Sequence, residues 1–291
     1  MSTDLDEAAV DFARVRPRLF GIAYRMLSSV QEAEDLVQDV WVKWQAYDRS
    51  TVREPAAFLA TMTTRLAINE SQSARARRET YVGPWLPEPV DTSADPTLGA
   101  ERGEALELAM LVILEKLSPT QRAAYILREA FDYPYDQIAE IVQLSESNVR
   151  QLVSRSRKRL ADERRETVST AEQRKLLAAF MEAAQEGNFD TLVELLAADA
   201  VSYSDGGGIV RATRVELFGG EVIAKVTVGY SGNFWAGAKV SYAEYNGSWS
   251  AVASRDGQVF MVISISASAD GIDQVQWMLN PEKLAGLTPP D

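Results

Sequence analysis

The side chains best placed to do chemistry in this chain are arginines and lysines gathered on one short segment of an acidic protein. The 291 residues carry 30 basic and 42 acidic side chains, a net charge of −12. From Ser145 to Arg165, however, seven basic residues stand against three acids, so this segment carries +4. Clustered guanidinium and ammonium groups attract phosphates, which makes nucleic acid the first ligand to consider. The plainer alternative is a solvated charged face of a helix in a bundle.

Two residue types on which many enzymes and metal sites depend are absent from the sequence. Without cysteine there is no thiolate metal site, and without histidine the usual general base and the commonest metal ligand are missing. We therefore expect no catalytic residue, no metal and no cofactor. The first residues lack the apolar core of a signal peptide, and no apolar run is long enough to span a bilayer. These features predict a cytoplasmic protein without a membrane partner.

The pattern around the basic segment is that of a helix-turn-helix. DYPYDQIAEIV (132–142) predicts a short helix, Gln143-Leu144 a turn, and Ser145 the cap of a second, basic helix. The exposed face of the second helix would present short polar groups suited to base edges, then cations suited to phosphates. The residues expected to contact DNA on this helix are Ser147, Asn148, Arg150, Gln151, Ser154, Arg155 and Lys158.

A second candidate surface is the acidic side of the predicted helix QEAEDLVQDVW (31–41). Glu32, Asp35 and Asp39 recur at spacings of three and four, which places them on one helical face, with Gln38 beside them. Such a face suits a basic partner helix, although a solvated face is again the plainer interpretation. A two-carboxylate metal site is a third interpretation, and a poor one without histidine.

Composition and periodicity divide the chain into four parts. Helical patterns predict all-α domains over 8–80 and 101–166, joined by a Pro-rich linker over 81–100. Residues 170–291 predict an α+β domain, with two helices followed by a curved antiparallel sheet whose hairpins turn at Asp-Gly pairs. From Glu166 on, eight basic residues stand against sixteen acids, so we do not expect this domain to bind DNA.

These segments carry a resemblance to a known family, the extracytoplasmic-function sigma factors. LFGIAYRMLSSVQEAEDLVQDVWVKW (19–44) with AAFLATMTTRLAINESQSARARRE (56–79) resembles region two, and the segment 117–160 resembles region four. Three signatures, WLPEP (85–89), DGGG (205–208) and NPEKL (280–284), are similar to those of the subgroup with a fused C-terminal SnoaL-like domain. The resemblance implies a region 2 helical bundle, a region 4 helix-turn-helix domain and a cone-shaped α+β domain of the nuclear-transport-factor fold class.

The resemblance also implies a function, promoter-specific initiation of transcription, with core RNA polymerase and promoter DNA as partners. It implies that polymerase docks on Glu32, Asp35, Gln38 and Asp39, and that the loop 47–54 captures a base flipped out of the melted promoter. The following helix would hold the separated strand, and the helix 145–159 would read the upstream −35 element. The strand-holding residues are expected to be Arg65, Asn69, Arg75, Arg77 and Arg78. Asn69-Glu70 departs from the aspartate that many relatives carry.

The C-terminal domain is expected to regulate the protein from within the chain. Trp85 and Leu86 make the linker too apolar to remain free, so we expect it to pack on that domain. A simple glycine turn is the plainer interpretation of the DGGG sequence. The residues expected to have regulatory roles are Trp85, Leu86, Pro87, Asp205, Gly206, Gly207, Gly208, Asn280, Pro281, Lys283 and Leu284.

The alternative function is a helix-turn-helix regulator fused to a SnoaL-like domain that binds or transforms a small molecule. Enzymes of that fold use a buried acid in a conical pocket, for which Asp199, Tyr203 and Asp205 are the candidates here. Lone acids without a histidine partner are weak support for catalysis. An unknown small-molecule ligand, bound without chemistry, is left open by the sequence.

Overall fold

A computed structural model describes residues 2–91, 107–163 and 165–290. They form two units, the first containing 2–79 and 107–163 and the second containing 80–91 and 165–290. The first part of the predicted linker thus belongs to the same unit as the C-terminal domain. The remainder of that linker, 92–100, and the predicted start of the second helical domain, 101–106, lie outside the described residues.

The N-terminal part of the first unit is a three-helix bundle with one short 3₁₀ turn. A serine begins the second helix, because the Ser29 hydroxyl accepts a hydrogen bond from the Glu32 amide. Trp44 is buried in the bundle, and its indole Nε1 donates to the Ala8 carbonyl at 3.2 Å. The elements are α1 (Ser2–Leu27), α2 (Val30–Ala46), the 3₁₀ turn Arg49–Thr51 and α3 (Pro55–Glu79).

The second part of the first unit contains the predicted helix-turn-helix. Ser118 and Gln121 form a reciprocal capping box at the start of one helix. Gln143 takes a left-handed conformation with φ of 58°, and the Ser145 hydroxyl accepts from the Asn148 amide, so the predicted turn and cap are confirmed. The helices are α4 (Leu108–Leu114), α5 (Pro119–Glu129), α6 (Tyr135–Val142) and α7 (Glu146–Glu163).

The second unit packs helices against a six-stranded sheet with the strand order β2-β1-β6-β5-β4-β3. Its core includes Phe180, Ile223, Ile263 and Val275, all fully buried. The helices are α8 (Thr170–Glu186), α9 (Phe189–Leu195), α10 (Gly220–Phe234) and α11 (Pro281–Leu284). The strands are β1 (Leu196–Asp205), β2 (Leu217–Phe218), β3 (Lys239–Tyr245), β4 (Ser248–Arg255), β5 (Gln258–Ser268) and β6 (Gly271–Met278).

The expectation of a wholly antiparallel sheet is wrong for one strand pair, because β1 runs parallel to β6. A parallel neighbour needs a long crossover, and here the chain passes through β2, α10 and the β3–β5 meander before it returns. The sequence also predicted no helix for 220–234, where valine, threonine and glycine are frequent and favour other structure. Burial of Ile223 and Ala224 against the sheet outweighs those local preferences.

Candidate functional site

The exposed face of α7 contains the side chains predicted to read DNA. Val149 and Val153 are buried beneath it, and all seven predicted contacts lie on the exposed side. The Arg150 guanidinium donates to Glu146 Oε1 from Nε at 3.0 Å and from Nη2 at 2.6 Å, and it lies 4.3 Å from the Tyr135 ring centroid. Arg155 forms no ion pair within the described part of the chain. Arg150 is thus held in place by neighbours, whereas Arg155 is available to a ligand.

The exposed acidic surface on α2 contains fewer of the predicted residues than the sequence indicated. Asp35, Gln38 and Asp39 are exposed, but Glu32 is half-buried and turns toward α3. There Arg77 Nη2 donates to Glu32 Oε1 at 2.5 Å. The structure adds Val42, an apolar side chain with 56% exposure, to the same helical face. Its spacing of seven from Asp35 is the sequence signal that could have identified it.

The five polar residues predicted to hold a DNA strand are not equivalent. Asn69 and Arg75 are exposed. Arg65 donates to the Glu140 carbonyl at 2.9 Å and to the Ile141 carbonyl at 3.0 Å, at the C-terminal end of α6. Such carbonyls lack partners within their own helix, and a cation satisfies them well. Arg77 bonds to Glu70 as well as Glu32, and Arg78 lies in a partly buried cluster.

That cluster is centred on Glu115, which the sequence analysis did not identify. Arg78 and Arg122 both donate to its carboxylate, Arg122 at 2.7 Å. The Ser28 hydroxyl donates to the same carboxylate at 3.0 Å, and Arg122 also donates to the Met26 carbonyl. Burial alone would raise the pKa of Glu115, but the two guanidinium groups outweigh burial and hold this pKa below its ordinary value. The ion pairs and hydrogen bonds of this cluster therefore connect α1 and α3 to α5.

The loop expected to capture a flipped base is internally bonded. Asp48 accepts hydrogen bonds from the Ser50 hydroxyl at 2.7 Å and the Ser50 amide at 3.2 Å, and these bonds lower its pKa. The Tyr47 ring lies 4.6 Å from Phe58, centroid to centroid. The loop is therefore ordered before any ligand arrives, which reduces the entropy lost on binding.

In the second unit, the linker is bound by a buried carboxylate. Asp205, at the end of β1, is fully buried. Its Oδ1 accepts from the Tyr81 hydroxyl at 2.5 Å and from the Gly207 amide at 3.0 Å. Its Oδ2 accepts from the Leu86 amide at 2.9 Å and from Lys283 Nζ at 2.7 Å. The predicted packing of the WLPEP segment on the C-terminal domain is confirmed by these bonds.

Lys283 joins all three signatures at one point. Besides the Asp205 carboxylate, its ammonium group bonds to the Leu86 carbonyl and lies 4.0 Å from the Trp85 ring centroid. A desolvated cation above an indole face is favourable, and it is also paired here with an anion. Leu86 and Leu284 are each 2% exposed, and Pro87 is buried beside them.

The glycines of the DGGG sequence allow this close approach. Gly207 has φ of +64°, and a Cβ placed on it would lie 2.6 Å from Asn280 Nδ2. Asn280 itself is 2% exposed and has two bonds to maintain. Its Oδ1 accepts from the Glu282 amide at the start of α11, and its Nδ2 donates to the Tyr81 hydroxyl at 2.9 Å. A simple turn would not require glycine so strictly, whereas the close approach of Asn280 leaves no room for a side chain at Gly207.

Tyr81 is a member of this site that the sequence analysis missed. It lies before the WLPEP signature, and only the fold brings its hydroxyl between Asp205 and Asn280. Burial, and then the hydrogen bond to Asp205, raise the pKa of Tyr81 far above its ordinary value. The phenol is therefore a neutral donor at any physiological pH.

The candidate catalytic acids are bonded to other groups of the chain. Asp205 is occupied by the linker and Lys283, and Asp199 is exposed and paired with Arg165. One cavity in this domain, between β1, β6 and α10, is lined by other residues, and neither acid nor Tyr203 is among them. None of the described helices has the length and apolar character needed to cross a bilayer.

Comparisons with known proteins match both helical parts of the chain. The family model for Sigma-70 region 2 matches residues 12–78, and that for Sigma-70, region 4 matches 107–160. The chain is 36% identical over 213 residues to the ECF RNA polymerase sigma factor SigJ of Mycobacterium tuberculosis (strain ATCC 25618 / H37Rv), covering 70% of this chain and 68% of that protein. It is 31% identical over 207 residues to the probable ECF RNA polymerase sigma factor SigI of the same species, covering 69% and 71%.

A solved structure is similar over almost the whole length. The crystal structure of the Mycobacterium tuberculosis extracytoplasmic function sigma factor SigJ superposes with a TM-score of 0.75 at 29% identity. The superposition covers 96% of this chain and 98% of that one. The similarity therefore includes the C-terminal α+β domain as well as the helical regions.

Proposed function

The chain belongs to the extracytoplasmic-function sigma factors of RNA polymerase, and from that premise we propose how its surfaces divide the work of initiation. It is a promoter-specificity subunit whose partners are core RNA polymerase and promoter DNA. The predicted family, fold class and function are confirmed. The alternative, a helix-turn-helix regulator carrying an enzymatic domain, is not favoured. We assign no reaction to the C-terminal domain, which acts in this proposal by binding.

The α2 surface is the proposed docking site for polymerase. Asp35 and Asp39 provide negative charge, Gln38 adds hydrogen bonds, and the exposed Val42, one turn further along the helix, supplies apolar area beside them. Protein interfaces combine a small apolar centre with charge complementarity at its edge. Glu32 has a different part, since its pairing with Arg77 holds α2 against α3.

The promoter is read in two places in this proposal. The α7 face contacts the upstream element, with the polar residues near the Ser145 cap at base edges and Arg155 and Lys158 at phosphates. The 47–54 loop, Asn69 and Arg75 act at the melted −10 element. Arg65 and Arg78 must first leave their protein partners before they can contact a strand.

Regulation is proposed to act through the linker that Asp205 holds. The segment 80–91 lies between the two DNA-binding regions in sequence. Four polar groups, two from this segment and two from the C-terminal domain, bond to the buried Asp205 carboxylate. A linker bound in this way has fewer conformations available than a free one. The site therefore restricts the arrangements in which regions two and four meet polymerase and DNA together.

Run-off transcription with purified core polymerase tests this proposal. A Trp85→Ala/Leu86→Ala variant of the full chain removes the apolar anchors of the linker, and we expect it to raise transcript yield at limiting sigma concentration. Val222→Ala removes an exposed apolar side chain from α10 and serves as the control. Equal yields from all three proteins would contradict regulation through the linker, while promoter-dependent transcripts would still support the sigma function.

A further inference from the structure

Arg150 on α7 is held between an acid and an aromatic ring. Its guanidinium donates from Nε at 3.0 Å and from Nη2 at 2.6 Å to the same oxygen of Glu146. The central carbon of this guanidinium lies over the Tyr135 ring, 4.3 Å from the centroid, which is within the range of a cation–π contact. Glu146 belongs to α7 like Arg150, whereas Tyr135 begins α6. The packing of the helix-turn-helix therefore brings the ring to this arginine.

The Tyr135 ring also has fixed surroundings. It is half-buried, and the Arg128 guanidinium lies 5.0 Å from its centroid. Arg128 in turn donates to the Tyr133 carbonyl at 2.9 Å and pairs with Asp132 at 3.4 Å. An exposed ion pair within one helix contributes little by itself. The distinctive feature of Arg150 is therefore its additional contact with a ring that another helix holds in place.

The donors that remain on Arg150 match a guanine. A guanidinium has five N–H donors, and the pairing with Glu146 uses one on Nε and one on Nη2. Both hydrogens of Nη1 and the second hydrogen of Nη2 are left, and the side chain is 58% exposed, which leaves room for a ligand. In the major groove, guanine offers this fork two acceptors, N7 and O6, whereas adenine offers one acceptor and one donor. An arginine held in this way favours guanine over adenine.

Glu146 has two opposing effects on a surface that approaches DNA. It lies in the first turn of α7 and its side chain is 47% exposed, so its charge is repelled by the phosphates of any duplex. It also fixes Arg150, and a long side chain that is fixed before binding loses less entropy when it makes its contact. The carboxylate therefore lowers affinity for DNA in general and raises selectivity for one sequence.

We propose that Tyr135 and Glu146 are positioning residues that set the sequence preference of this protein by orienting Arg150 toward a guanine of the upstream promoter element. The inference rests on the proposed placement of α7 at that element. Tyr135 supplies the face on which the guanidinium lies, and Glu146 sets the rotation of the guanidinium within its plane. Both act through Arg150 and do not contact the base.

The first experiment tests whether Arg150 reads a guanine. Holoenzyme assembled from the full chain and core polymerase selects duplexes from a randomised pool, and the bound duplexes are sequenced. We expect wild type to enrich a guanine at one upstream position and Arg150→Gln to lose that preference alone. Replacing this guanine by 7-deazaguanine, which lacks the N7 acceptor, should weaken wild-type binding about tenfold and leave Arg150→Gln unaffected. An equal loss in both proteins would overturn the proposal.

The second experiment tests the positioning residues by the ratio of affinities for the guanine and adenine forms of the selected duplex. Tyr135→Leu should lose most of this discrimination, whereas Tyr135→Phe keeps the ring and should retain it. Glu146→Ala should bind unrelated DNA more tightly and discriminate less, a split that a purely structural role would not produce. Asp136→Ala removes an exposed charge from the first turn of α6 and is the matched control. It should leave the discrimination unchanged.

The outcomes separate this inference from the proposed role of α7. Wild-type discrimination in both Tyr135→Leu and Glu146→Ala would overturn the positioning role and leave the role of α7 intact. A loss in Tyr135→Phe equal to that in Tyr135→Leu would overturn the contribution of the ring face. Selection of an upstream element without a guanine would also overturn the inference, and no upstream selection at all would in addition remove α7 from promoter readout. Thermal unfolding verifies that each variant is folded.

Discussion

Lys283 and Asp205 form an ion pair of 2.7 Å across 78 residues of sequence, with the carboxylate fully buried and the ammonium side chain 11% exposed. A buried pair of this kind contributes little net stability compared with an apolar pair, but loss of one partner is costly. Both groups also bond to the linker, so the pair connects β1, α11 and the segment 80–91. Loss of this ion pair should therefore have a measurable effect on the linker.

Lys283→Met should release the linker. The substitution leaves the Asp205 carboxylate buried without a cation, at a cost of about 3–5 kcal/mol. We expect faster hydrogen exchange of the Leu86 amide and a lower Tm. Lys225→Met, at an exposed position on α10, is the control for loss of a lysine. Unchanged protection of the Leu86 amide in Lys283→Met would show that the pair does not hold the linker.

Gly207→Ala should be more harmful than the same change in another turn. Gly207 and Gly257 both have positive φ, +64° and +77°, so each alanine costs about 1 kcal/mol in backbone strain. A Cβ at Gly257 meets nothing within 4 Å, whereas at Gly207 it displaces the buried Asn280. Chemical denaturation of both variants measures the difference, and equal losses of unfolding free energy would rule out the steric explanation.

Reversal of charge on α2 should prevent polymerase binding. Asp35→Lys/Asp39→Lys converts the exposed acidic face to a basic one without touching a buried group. We expect at least a hundredfold weaker association with core polymerase, as measured by surface plasmon resonance. Asp6→Lys/Glu7→Lys makes the same change in net charge on the exposed side of α1. The docking assignment fails if both double variants bind polymerase equally.

Arg155→Ala should weaken promoter binding without affecting polymerase. Loss of a contact to a base edge costs about 1–3 kcal/mol in a sequence-dependent way, whereas loss of a contact to phosphate lowers the salt dependence of binding by about one ion. Binding to promoter and to unrelated DNA at several salt concentrations distinguishes the two. Lys175→Ala on α8 is the control. Wild-type affinity and salt slope in Arg155→Ala would exclude this residue from the readout.

The Glu115 cluster should make the first unit sensitive to acid. The folded-state pKa of Glu115 is below its ordinary value of 4.5, so the charged form stabilises the fold. This contribution is present above pH 4.5 and is lost as the pH falls through the folded-state pKa. Glu115→Gln lacks it at every pH. We expect the Tm difference between wild type and Glu115→Gln to shrink from pH 7 to pH 3, and a constant difference would contradict the assignment.

The sequence by itself determined the elements that depend on neighbours along the chain. Ser118 and Ser145 cap helices because a serine hydroxyl reaches a backbone amide three residues on. The turn at Asp256-Gly257 forms because both residues tolerate positive φ. The exposed cations of α7 likewise follow from helical periodicity, and the order of the two helical regions indicated the family.

Only the tertiary structure decided which charged side chains remain available to bind a partner and which are bonded within the protein. Arg65 and Arg78 look like the other arginines of α3, yet their partners lie 76 and 37 residues away. The parallel pairing of β1 with β6 and the helical state of 220–234 also rest on distant packing. Tyr81, Asp205 and Asn280 meet across as many as 199 residues. Local sequence patterns carry no information on such contacts, because their energy arises only when folding brings the groups out of water together.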